Sequence, residues 1–278
     1  MFSGNECLIY IPRNFEIDIS RFSDLSNMFF ECYSLKEVPL FNTSSVTDMW
    51  GMFRFCESLK EVPLFDTQNV TDMSNMFLGC TSLKEIPLFD TSKVTHMNNM
   101  FSNCENLITI PQLDTRSVSG ADYMFDHCLK LTSVPKLNVR NIHTANHMFD
   151  NCKSLVTVHS LDLSNAYYIE YMFAGCSNLK NVPSFNIPKV QLTNGMFSNC
   201  TSLESVDEFN VSNVVNMEYM FAGCSSLKEI RFSGGHKIRC YKMFEDVTTT
   251  GKAYFKNDGG DYSDIIAALP SGWTYEYY

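Results

Sequence analysis

The chain has 278 residues, 45% of them apolar, with 31 acidic and 21 basic residues and a formal charge of −10. That apolar share can bury an interior and excludes a disordered chain. No Lys/Arg cluster of the kind that neutralises phosphates is present, which argues against nucleic acid as a partner, and no apolar run approaches the ~20 residues of a membrane helix, which argues against membrane insertion.

Met1 to Cys7 shows no basic region followed by an apolar one and does not read as a signal peptide. Three readings stay open: a mature or excised fragment, a protein carried outside by an assembly such as a virion, and a cytoplasmic protein. From Met28 the chain repeats. Met-Phe recurs at Met28, Met52, Met76, Met100, Met124, Met148, Met172, Met196 and Met220, always at the same interval, and a further copy at Met243 comes early by a single position. Four residues after each of the first nine Met lies a cysteine, from Cys32 to Cys224. Met1, Leu8, Ile11 and Pro12 match Met28, Leu35, Val38 and Pro39, so the first unit carries three extra residues. A fixed period this short predicts stacked structural units. The expected fold is therefore an α/β repeat solenoid, a leucine-rich-repeat-like stack of about ten units of ~24 residues each.

Within one unit, Leu59, Val62, Phe65, Val70, Met73, Met76, Phe77 and Cys80 stand in slots that are almost always apolar, and should face inward. Their spacing from Val70 to Leu83 suits short helical or 3₁₀ turns. Leu59 to Phe65 is too short for a helix and should hold a brief strand, the strands of successive units forming a parallel sheet. Proline occupies one slot of that strand in most copies (Pro39, Pro63, Pro87, Pro111, Pro135, Pro183). It cannot donate to a ladder, so the strand should be very short and bend there. Asn42, Asp66, Asp90, Asp114, Asn138, Asp162, Asn186 and Asn210 form a column of turn-stabilising side chains. Cations held between them are the competing reading, which the frequent Asn weighs against.

Residues 1–250 read as the solenoid and 251–278 as a C-terminal cap. In the cap, Lys252 to Lys256 reads as a strand, Asn257 to Gly260 as a turn, Tyr262 to Leu269 as a short helix stopped by Pro270, and Trp273 to Tyr278 as a closing strand.

The unit Leu-x-x-Val-Pro-x-Phe-Asp-Thr-Ser-x-Val-Thr-x-Met-x-x-Met-Phe-x-x-Cys-x-x-Leu resembles the BspA-like leucine-rich repeat family of bacterial surface proteins, also found in mycoplasma lipoproteins. Phe89 to Thr95 and Met220 to Leu227 show it best, and the likeness covers roughly residues 1 to 250. The ending Leu269-Pro270-Ser271-Gly272-Trp273-Thr274 looks like the tail piece that follows such repeats in gut-bacterial proteins and their phages. The resemblance implies a parallel-sheet solenoid used for adhesion or host-protein binding, with no catalytic residues to carry over.

No residue pattern reads as chemistry. The nine-membered Cys column cannot pair completely and reads as buried thiols. No Cys/His spacing suggests zinc, and His96, His127, His143, His147, His159 and His236 fit no triad or His-x-x-x-His arrangement beyond the spacing of His143 and His147. No catalytic residue, metal or cofactor is expected. Two surfaces are candidates for binding. On the strand side Leu40, Leu64 and Leu88 stack in an exposed slot that later copies fill with Gln112, Lys136, Ser160, Ser184 and Glu208. They are either an interface or the trace of recent duplication. On the turn side of the middle copies, Tyr123, His147 and Tyr171 share one column, His143 and Tyr167 another, with Tyr168 beside it. These are ligand-binding candidates, since Tyr and His are common at recognition sites.

The leading function is a non-catalytic recognition or adhesion module of a bacterial surface protein, extracellular or on the cell surface, that binds a protein or glycan there. The alternative is a tail-associated receptor-binding or structural protein of a phage virion, with a virion or surface assembly partner.

Overall fold

A computed structural model describes residues 1–12 and 19–278; the stretch 13–18, in the unit with the extra residues, lies outside the described residues. The repeats stack as coils of a parallel β-solenoid. On the turn side, alternate N–H groups point in two directions. Those of Asn27, Phe29 and Glu31 donate to the carbonyls of Trp50, Met52 and Arg54 in the next coil, each at 2.9 Å. Those of Met28, Phe30 and Cys32 close turns on Leu25, Asn27 and Phe29 within their own coil. The i→i−3 bonds expected from the spacing are therefore present, but they do not propagate into a helix. Two residues per coil adopt left-handed backbone, as at Asn75 (φ 60°) and Gly79 (φ 74°) or Asn99 (φ 56°) and Asn103 (φ 58°). The N–H of each such residue bonds along the stack, as Asn75 does to Asn98 and Gly79 to Ser102, and the next N–H closes a turn within the coil, as Met76 does on Met73. Asn and Gly suit these positions because left-handed backbone costs them least.

On the strand side sheet is sparse along the proline column, and the His159 coil, between copies carrying Pro135 and Pro183, forms no strand either. In the early coils a single bond links neighbours, for example the Lys60 N–H to the Lys36 carbonyl at 3.1 Å. β1 (Asn181–Val182) stops directly before Pro183. The next two copies carry Asp207 and Arg231 in the proline slot, and there the strands lengthen to β2 (Ser205–Asn210) and β3 (Glu229–Ser233). β4 (Gly251–Phe255), α1 (Ser263–Ala268) and β5 (Trp273–Tyr277) follow, and all five strands are parallel in the order β1-β2-β3-β4-β5. Val206 pairs with Ile230, one full repeat on, but Phe209 pairs with Phe232, one position short of a full repeat. The missing residue of the last repeat is thus absorbed by a bulge in β2, and the Met column stays in line. A second ladder of single parallel pairings runs through Asp24, Asp48, Asp72, His96, Gly120, Thr144, Tyr168, Leu192, Asn216 and Arg239.

The predicted interior slots are buried, Met52, Met76 and Phe77 completely. The Phe column forms an unbroken stack from Phe2 through Phe29, Phe53 and onward to Phe244, with centroids 5.3–5.8 Å apart and planes within 14°. That spacing means offset rings, the arrangement their quadrupoles favour. The thiols of Cys32 to Cys224 are buried beside it. Each donates to the carbonyl of the Phe one coil back, as Cys56 does to Phe29 at 3.1 Å and Cys200 to Phe173 at 3.0 Å. Burial pushes these thiols far up, that of Cys224 to about 12. A thiol held protonated stays a donor, so the column is a hydrogen-bond ladder as well as packing. The Asx column stabilises turns: Asp66 accepts from the Gln68 N–H and Asp90 from the Ser92 N–H. The buried hydroxyls of Thr43, Thr67, Thr91 and Thr115 each reach the carbonyl of the next coil's Asx at 2.9 Å.

Candidate binding surfaces

The residue before the Met is in left-handed backbone in every coil from Met28 on; it is Asn or Gly at Asn27, Gly51, Asn75, Asn99 and Gly195, and Tyr219 and Lys242 take the slot in the last two coils. Three successive middle coils place Tyr123 (φ 58°), His147 (φ 55°) and Tyr171 (φ 54°) in the same conformation. For side chains of this kind left-handed backbone costs roughly 1 kcal/mol each. The rings recover part of it by stacking. Tyr123 lies 4.5 Å from His147 at 5°, and His147 lies 4.9 Å from Tyr171 at 13°. The column ends where Tyr171 lies over Gly195, whose missing Cβ makes room for the ring. His147 Nδ1 bonds to Asp150 Oδ2 at 2.8 Å. Carboxylates surround the stack: burial first, then Asp122, Asp126, Asp150 and Glu170, hold the Tyr123 phenol protonated beyond its ordinary range. Burial also raises Asp126 and Glu170, and a 2.6 Å contact from His127 Nδ1 opposes the shift at Asp126. The faces of the rings are turned to one another, so the surface of the stack presents ring edges, phenol oxygens and carboxylates.

The structure divides the six turn-side candidates into two groups. Tyr123, His147 and Tyr171 form the stack. Tyr167 and Tyr168 touch one another (6.4 Å, 50°), and the Tyr167 N–H donates to the His143 carbonyl. Among the described residues no ring contact joins Tyr167 or Tyr168 to Tyr171; the groups lie side by side on the same coils.

Asp122 is a contributor that the sequence reading missed. In the early coils Asp24, Asp48 and Asp72 cap the N–H two residues on, at 2.7–2.8 Å. Their column continues as His96, Gly120, Thr144 and Tyr168, none with a carboxylate. The orphaned N–H groups are instead served from the coil before: Asn98 Oδ1 accepts from Asp122, Asp122 Oδ1 from Asn146, and Asn146 Oδ1 from Glu170, at 2.7–3.0 Å. Asp122 Oδ2 also accepts from the Thr144 hydroxyl. The cap has moved to a neighbouring column, and the vacated position displays Tyr168. The signal was visible as Asn98, Asp122 and Asn146 appearing where the Asp column lapses.

On the strand side Leu40, Leu64 and Leu88 are 66%, 59% and 59% exposed. Beside them Ile11, Val38, Pro39, Val62 and Pro63 line a shallow groove of about 580 Å³, edged by Glu37 and Glu61. Among the described residues no group of three or more His, Cys, Asp or Glu side chains is placed to hold a metal ion, and no helix is long and apolar enough to cross a membrane.

Solved structures similar to the chain include a leucine-rich repeat protein from Bacteroides ovatus, 17% identical over 99% of this chain and 92% of that one, with a TM-score of 0.46. A leucine rich cell surface protein from Faecalibacterium prausnitzii is 20% identical over 91% and 75%, with a TM-score of 0.39. The leucine-rich repeat protein of T. pallidum is 20% identical over 78% and 84%, with a TM-score of 0.40. No curated protein matches. A family model matches in three overlapping stretches, residues 12–107, 82–183 and 132–234. Most of the solenoid is thus covered, and the chain belongs to the family described as Mycoplasma protein of unknown function, DUF285.

Proposed function

We propose that this chain is a non-catalytic recognition module of a bacterial cell-surface protein, binding a protein or glycan on the turn face of its middle coils. The observation that carries this reading is Tyr123, His147 and Tyr171 in left-handed backbone where the other coils chiefly use Asn or Gly. Strain of this kind persists where the surroundings hold it and clusters at functional positions. Large, stiff aromatic side chains bring contact area with few rotors, and the neighbouring Tyr167 and Tyr168, each 38% exposed, widen the surface. The likeness of the repeat motif to BspA-like surface proteins motivates the cell-surface placement. Within this reading, residues 251–278 close the last coil, with Tyr262 and Trp273 buried against it. Replacing Tyr167, Tyr168 and Tyr171 by Ala should weaken binding of the labelled protein to target cells at least ~10-fold, about 1.4 kcal/mol, with little loss of stability. Undiminished binding in that variant, with loss in Leu64→Ser/Leu88→Ser, would assign recognition to the other face.

A further inference from the structure

The strand face carries a pattern that the recognition reading leaves unused. Along each of three successive coils the side chains run Lys-Glu-(Val or Ile)-Pro-Leu-Phe-(Asn or Asp), from Lys36 to Asn42, Lys60 to Asp66 and Lys84 to Asp90. Val38, Val62, Ile86 and the Phe residues point inward; Leu40, Leu64 and Leu88 stand out. Beyond these coils the lysine column continues as exposed Ile9 on one side and Ile108 on the other, with Tyr10 in the Glu column, while Gln112 follows Leu88. None of Lys36, Lys60, Lys84, Glu37, Glu61 and Glu85 makes an ion pair among the described residues. The carboxylates of Asp66 and Asp90 bond only to their own turns, through Gln68 and Ser92.

The charges flank the apolar strip in a self-complementary way. Lysine stands three residues before each proline and Asx three residues after it. Rotating a second copy by half a turn about a line parallel to the solenoid axis, over the proline column, reverses the coil direction and keeps the stacking direction. Lys60 of one copy then faces Asp66 of the other, Lys84 faces Asp90, and the reciprocal pairs form at the same time. The Leu and Pro columns meet between them with matching rung spacing, because both strips have the same period. A symmetric contact of this kind closes on itself and stops at two copies.

We infer that the Leu40-Leu64-Leu88 strip is a docking surface for a second copy of this chain, which pairs side by side through apolar contact guided by the Lys and Asp columns. The strip covers only three coils, less than the ~800 Å² per partner of a stable dimer, so association should be weak, with Kd on the order of 100 µM.

The test is sedimentation equilibrium of the full chain from ~5 to ~500 µM, with the circular dichroism spectrum and the unfolding midpoint recorded in parallel. Wild type should pass from monomer to dimer, and Leu64→Asp/Leu88→Asp should weaken this at least ~10-fold while the midpoint holds. The charge pairing has its own readout. Lys60→Glu/Lys84→Glu alone and Asp66→Lys/Asp90→Lys alone should each stay monomeric, whereas an equal mixture of the two should dimerise, since every cross pair is then opposite in sign. A wild type that is monomeric throughout leaves the strip to another protein and overturns the inference. Dimers indifferent to the Leu changes, or a mixture no more associated than its components, overturn it as well.

Discussion

The coils around Met52, Met76 and Met100 and the coils around Met124, Met148 and Met172 share one interior and differ in almost everything outside it. In the first set Asp48 and Asp72 cap turns and Gly51, Asn75 and Asn99 take the left-handed slot before the Met, although Phe55 is left-handed too and His96 leaves its cap position without a carboxylate. In the second set the cap is delegated to Asp122 and Asn146, and the left-handed slot holds Tyr123, His147 and Tyr171. A solenoid supplies its own reference here, because each slot is seen many times. Departures that cost stability stand out against it.

What the two regions share should respond alike, and the largest effect is expected there. Every thiol of the column from Cys56 to Cys224 is raised above the ordinary value of 9.0 by burial. The folded state therefore holds protons that the unfolded state releases. This stability is fully present below the unfolded thiol pKa and is lost as pH rises above it, by up to about 1.4 kcal/mol per pH unit for each thiol. A steep alkaline unfolding transition beginning just above pH ~9, with rapid thiol labelling only after it, is the expected outcome. Carried out by circular dichroism and Ellman titration, the same scan on Cys→Ala variants from either region should shift the transition equally. A second common feature is the ring stack. Phe77→Ala and Phe149→Ala should each cost about 3–5 kcal/mol in urea unfolding, with no preference for either region. A large difference between them would break the claim of a shared core.

The caps should separate the regions. Asp48 serves one N–H, whereas Asp122 serves the Asn146 N–H and the Thr144 hydroxyl. Loss of Asp122 to Ala should cost about 2 kcal/mol against about 1 for Asp48→Ala, and Asp122→Asn should recover most of it by keeping an acceptor at Oδ1. Equal losses for the two Ala variants would mean that the cap had not moved.

The periodic part of this architecture was legible in the sequence, because burial repeats from Met28 onward: Leu59, Met76, Phe77 and Cys80 are interior, as their columns require. The proline column marked the strands as very short, but the parallel sheet expected along the whole stack forms only from β1 to β5, where Asp207 and Arg231 replace proline in β2 and β3; His159, lying between coils that carry proline, forms no strand. Two features were less legible. The apolar spacing from Val70 to Leu83 fits helix and turn equally, and only the Asn and Gly residues at left-handed positions discriminate between them. Grouping Tyr123, His147 and Tyr171 by column was straightforward, but their backbone conformation was not, since Tyr carries no preference for it and His marks it less strongly than Gly. The transfer of the cap to Asn98, Asp122 and Asn146 depends on bonds between coils, which a single unit does not display.

The smallest effect on stability carries the most weight. Replacing Tyr123, His147 and Tyr171 together by Asn restores the repeat's own residue at each left-handed position, exchanging the stacking for relief of backbone strain. Urea unfolding and binding to target cells, measured on the same preparation, test the central claim directly. The account predicts stability within about 1 kcal/mol of wild type, or above it, together with at least a ~10-fold loss of binding. A variant that binds undiminished while losing several kcal/mol would show that the Tyr-His-Tyr column is there to hold the coils together, and would contradict the account.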